Sequence, residues 1–77
     1  MKKVKISLST IADVRDFVNA VVSSNVDIDL ESGRYVVDGK SILGIFSLDL
    51  TQPVVLTAHS DNTDELFAKL DRFIIKE

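Results

Sequence analysis

The chain has no cysteine, which excludes disulfides and thiolate metal sites alike. Its one histidine, His59, leaves a histidine-based transition-metal site without a second ligand of its kind. Basic residues cluster nowhere beyond Lys2, Lys3 and Lys5, so the electrostatic footprint of a nucleic-acid binder is missing. No apolar run approaches the length that spans a bilayer, and the Met1-Lys2-Lys3 start is not followed by the apolar stretch of a signal peptide. The expectation is a cytoplasmic, bacterial-type protein with no nucleic-acid or membrane partner. Proline and glycine are scarce, at one and three residues, and no linker, repeat or low-complexity segment breaks the chain. It reads as a single domain over residues 1–77.

What is present is apolar matter in short periodic runs. Hydrophobic residues make up 45% of 77 residues, enough for a packed core at a size where roughly 60% of the unfolded surface is buried. Val4, Ile6 and Leu8 alternate with Lys3, Lys5 and Ser7, which predicts a half-buried strand over 2–8. Thr10 to Asp13 has the spacing of a capping box, and Val14, Phe17, Val18, Val21 and Val22 then recur at helical spacing. Val26, Ile28 and Leu30 alternate with Asp27, Asp29 and Glu31 in a second strand. Ser32-Gly33-Arg34 is a turn into a third strand, Tyr35–Val37, and Asp38-Gly39 is another turn. Ser41 caps a short apolar helix over 42–48. Pro53 opens a fourth strand, Val54–Ala58, and Ser60 to Thr63 caps a last helix with Leu66, Leu70, Phe73 and Ile74 inward. The order is β-α-β-β-α-β-α. Right-handed crossovers then favour an α+β open-faced sandwich, a four-stranded antiparallel sheet in the order 1-4-2-3 with its helices on one face.

Two patterns invite a chemical reading and lose it on inspection. Gly33 to Ser41 looks like a P-loop, but five residues separate Gly33 from Gly39 where the motif needs four. Asp27, Asp29 and Glu31 share one side of a strand, a row that solubilises an open sheet face more readily than it holds a cation. No metal and no cofactor is expected. The helix over 42–48 is different, because Ile42, Leu43, Ile45 and Phe46 are too many apolar residues for so short an element to bury. An exposed apolar helix of this kind suits a protein partner. Alternatively, Ile42 and Ile45 join the core while Leu43 and Phe46 partly cover it.

Lys40-Ser41-Ile42-Leu43-Gly44-Ile45-Phe46-Ser47-Leu48 closely resembles the regulatory-serine segment of HPr, the small phosphocarrier of the bacterial sugar phosphotransferase system. The likeness runs from about Asn25 to Leu50 and more weakly through Asp61–Leu70, and the element order agrees with it. The resemblance implies the HPr-like open-faced sandwich. It also implies docking of phosphotransferase-system enzymes, or of a transcriptional or metabolic regulator, on Lys40, Ile42, Leu43 and Phe46. Ser41 then corresponds to the family's regulatory phosphorylation position, the target of a serine kinase, although an N-cap alone accounts for it as well.

The same register departs from the family at its active site. The phosphohistidine position falls on Thr10, the arginine position on Ala12 and the proline position on Asp13. Threonine without a neighbouring base is a weak nucleophile, and its phosphate ester is too stable to pass on. The expectation is therefore a regulatory protein of the phosphotransferase network that acts by contact and is not an enzyme. Two alternatives stay open: a phosphocarrier using Thr10 or His59 as an atypical acceptor, and a small-ligand regulatory domain that shares only the architecture. In the expected topology His59 lies at the opposite end of the sheet from Thr10.

Overall fold

The structure, a computed structural model, describes residues 1–76. Its elements are β1 (Lys2–Ile6), α1 (Ile11–Val22), β2 (Ile28–Ser32), β3 (Tyr35–Asp38), α2 (Ile42–Phe46), β4 (Val54–Ala58) and α3 (Asp64–Lys69), followed by a 3₁₀ turn at Asp71–Phe73. The sheet runs β1-β4-β2-β3 with every neighbour antiparallel, as the crossover argument predicts. An inner row of Val4, Leu56, Leu30 and Val37 crosses all four strands, and the alternate residues point to the open face. The helices cover the inner face. Phe17, Ile6, Leu8, Ile45, Leu56 and Leu70 are fully buried between the layers.

Local chemistry explains the boundaries. The β2–β3 hairpin turns on Gly33 and Arg34, and Gly33 takes φ +59°, a left-handed value that glycine adopts without a Cβ clash. Gly39 serves a different purpose. Its N–H donates to Ile28 O at 2.7 Å, and a Cβ there would stand 2.6 Å from Ile28 Cγ2 and 3.1 Å from Ile28 O. That close approach sets the turn between β3 and α2.

Several expectations need correction. The first strand stops at Ile6, and Leu8 reaches the core from the loop beyond it. The second strand begins at Ile28. Val22 is 57% exposed, because it lies one step round the helix from the buried stripe of Val14, Phe17 and Val21. The short helix ends at Phe46, where Ser47 Oγ donates back to Gly44 O and the N–H of Leu48 donates to Ile45 O. The last helix stops at Lys69. After it the chain tightens into the 3₁₀ turn and then lies along β1, with Ile75 N–H donating to Lys5 O and Ser7 N–H donating to Phe73 O, both at 2.9 Å. Phe73 is buried edge-on against Phe17, with 5.9 Å between ring centroids. This strap covers an edge of β1 that would otherwise be open to pairing with another chain.

Gly39→Ala should lower stability by about 1–3 kcal/mol through overpacking against Ile28. The urea midpoint should fall with an unchanged denaturant slope; an unchanged midpoint would show that the turn relaxes freely.

Candidate functional site

Two helix N-termini hold the residues singled out in the sequence. At the first, Thr10 is the N-cap of α1, and its Oγ1 accepts from Asp13 N–H at 3.0 Å. Asp13 completes the reciprocal half of the box one residue earlier than the spacing suggested: its Oδ2 accepts from the N–H of Ser9 at 3.2 Å and from Ser9 Oγ at 3.1 Å. Ala12 is exposed beside it and offers no charge. The Thr10 hydroxyl is thus a structural acceptor, and among the described residues no side-chain base hydrogen-bonds to it.

Arg72 reaches this turn from the other end of the chain. It donates to Asp13 Oδ1 at 3.3 Å and to Asp16 Oδ2 at 2.9 Å, while its guanidinium carbon lies 4.1 Å above the Phe73 ring. The Ser9 N–H, opposed by partial desolvation and aided by Ser9 Oγ and Arg72, holds the Asp13 carboxyl below its ordinary value. Nothing local announces this clamp, because Asp13 and Arg72 stand 59 positions apart in the chain. Ile11, 76% exposed in the first turn of α1, was missed too, since it sits inside a run that reads as polar capping.

At the second terminus Ser41 is the N-cap of α2, and its Oγ accepts from Gly44 N–H at 3.1 Å. Lys40 follows an Asp38 side chain that accepts its N–H at 2.9 Å, and its Nζ donates to Ser24 O at 2.8 Å. The ammonium is therefore engaged with the end of α1 and not with Ser41. Ile45 is fully buried, whereas Ile42, Leu43 and Phe46 are 39%, 80% and 42% exposed. Ile42 does not join the core as the purely structural reading of this helix required. Gly44 lets the helix lie close on β3, with a hypothetical Cβ 3.3 Å from Val37 Cβ.

His59 stands where the sequence placed it, beyond Ala58, which pairs with Lys2 at the start of β1, while Thr10 follows the far end of that strand. Its Nε2 lies 2.8 Å from Asp29 Oδ2 across the open face. Among the described residues no group of three or more metal-ligating side chains converges, and no helix is long and apolar enough to cross a membrane. An open cleft of about 350 Å³ lies between the end of α1 and α3, lined by Ser24, Asn25, Asn62, Glu65 and Lys69 among others. It touches neither helix N-terminus described above.

No protein-family model matches the chain, and no curated protein matches it either. Solved structures do. The crystal structure of HPr-C-His from Thermoanaerobacter tengcongensis superposes with a TM-score of 0.78 at 29% identity, covering 94% of this chain and 89% of that one. The phosphocarrier protein HPr from Bacillus anthracis strain Ames gives a TM-score of 0.67 at 25% identity, covering 96% and 94%.

Because Asp13 is lowered in the native state, its contribution to stability is complete above the ordinary aspartate range and disappears as pH falls toward the native value. Asp49, whose carboxylate accepts from the hydroxyl and N–H of Thr51, acts in the same direction. The urea midpoint should drop below about pH 4, and less steeply in Asp13→Asn. In Arg72→Ala the NMR titration of Asp13 should move upward only part of the way, since Ser9 still donates.

Proposed function

Taking as premise that this chain is an HPr-like protein, of the fold and family of the phosphotransferase-system phosphocarriers, we propose that it works by protein contact and not by phosphoryl relay. The observation that carries this reading is the division of α2. One side anchors the helix through buried Ile45, and the other offers Ile42, Leu43 and Phe46 to solvent. A phosphotransferase-system enzyme or a regulator docks on that side, with Lys40 at its margin.

Thr10 and Ala12 occupy the family's phosphohistidine and arginine positions and leave the relay without its nucleophile, while the cation that does reach this turn, Arg72, is engaged by Asp13 and Asp16. The Thr10 hydroxyl is occupied as a cap, and Asp13 adds a negative charge beside the place where a phosphoryl group would arrive. Ser41 is the regulatory position. Phosphorylation there would put a dianion at the start of α2, remove the cap's ordinary geometry and change the rim of the docking surface. Lys40 would have to leave Ser24 O to reach it.

Intact mass after incubation with phosphoenolpyruvate and the general phosphotransferase, with an ordinary HPr as control, tests the relay. The expected result is full charging of the control and no added phosphoryl on this chain; an acid-labile phosphoryl would make it a carrier, and its position would name the acceptor. Docking is tested separately. Leu43→Asp should leave stability within about 0.5 kcal/mol, as an exposed substitution does, and should weaken capture of the phosphotransferase-network partner by at least tenfold.

A further inference from the structure

The open face of the sheet is not needed by the docking reading, and its charges are sorted by strand. The register puts Lys3, Thr57, Asp29 and Asp38 in one row across the four strands, and Lys5, Val55, Glu31 and Val36 in the next. Both lysines lie on β1, and all three carboxylates lie on β2 and β3. Asp27, just before β2, extends the acidic side. Among the described residues Lys3, Lys5, Glu31 and Asp38 take part in no ion pair, while Asp29 pairs with His59. Val36, on β3 at the acidic edge, is 58% exposed.

Such a face is complementary to itself. A two-fold axis parallel to the strands, passing between β4 and β2, lays β1 of one copy over β3 of the other and β4 over β2. Lys3 then faces Asp38, Asp29 faces Thr57, Glu31 faces Val55, and Lys5 faces Val36 with Glu31 one strand away. No carboxylate meets a carboxylate, and no lysine meets a lysine. We infer that the open sheet face is a self-association surface, on which a second copy of this chain docks face to face in a two-fold, charge-matched pair.

Four strands about 4.8 Å apart and five residues long give a face of roughly 300 Å² per copy. Both copies together bury about half of the ~1,200 Å² at which stable interfaces begin. The pair is accordingly weak and concentration-dependent, formed only at high protein concentration. Its geometry leaves the helical layers on the two outer sides. Each pair therefore presents two copies of the Ile42, Leu43 and Phe46 surface, pointing away from each other.

The test is a dilution series by amide NMR on the isolated chain, which requires no phosphotransferase partner and is independent of the docking reading. Concentration-dependent shifts are expected at Lys3, Lys5, Val36, Val55 and Thr57, weakening severalfold as salt is raised from about 20 to about 300 mM. Lys3→Glu with Lys5→Glu should weaken association about tenfold, as should Glu31→Lys with Asp38→Lys, which carries the residue that faces Lys3 and the one nearest Lys5. An equimolar mixture of the two double variants should recover it, while far-ultraviolet circular dichroism confirms that each is folded. A chain that stays monomeric at millimolar concentration overturns the proposal. So does association whose shifts map to α2, or a mixture that fails to recover what each folded variant lost.

Discussion

Every other feature of this molecule depends on β4 lying between β1 and β2. Nothing else in the sheet ties the first strand to the β2–β3 hairpin, and the inner row from Val4 to Val37 is continuous only because Leu56 fills its second place. The strand that closes the sheet is also the last to appear in the chain. Its pairing with β1 joins residues about fifty positions apart, from Ile6 with Val54 to Lys2 with Ala58. Loop closure over that distance is entropically costly, so the helices cannot find their final bed until the chain is nearly all present. The C-terminal strap depends on it in turn, because it packs on a strand that β4 has already fixed.

Most of this arrangement can be read from residue periodicity. The β4 run Val54–Ala58 and the α1 run from Ile11 are bounded by residues with one conformational meaning, Pro53 before the strand and Thr10 before the helix, and both elements begin as read. The last helix could not be read to its end. Leu66, Leu70, Phe73 and Ile74 keep an apolar spacing through the point where the helix gives way, since the core needs those side chains whichever backbone delivers them. Arg72 illustrates the same boundary. Its partners Asp13 and Asp16 are a helical turn apart and could suggest a receptor for a cation, but only the tertiary fold chooses which cation comes.

The two candidate hydroxyls share a geometry that local sequence already predicts. Thr10 accepts from the N–H three residues on, and so does Ser41. Their charged neighbours differ, and at Ser41 they include the Asp38 carboxylate that accepts the Lys40 N–H. Around Thr10 the nearest charges are two aspartates answered by one arginine, whereas the start of α2 has a lysine nearby whose ammonium is directed to Ser24. A threonine cap beside Asp13 is a settled end to a helix. A serine cap beside an apolar, half-exposed helix closes a far shorter element.

The brevity of α2 has a consequence of its own. Five residues make little more than one turn, far below the length at which a helix persists in water without tertiary support. Only Ile45 is sunk into the core, so this segment forms a small cooperative unit that opens at less free energy than the whole domain. The exposed side chains of Ile42, Leu43 and Phe46 therefore share the fate of one short turn, presented while Ile45 is seated and lost together when it is not.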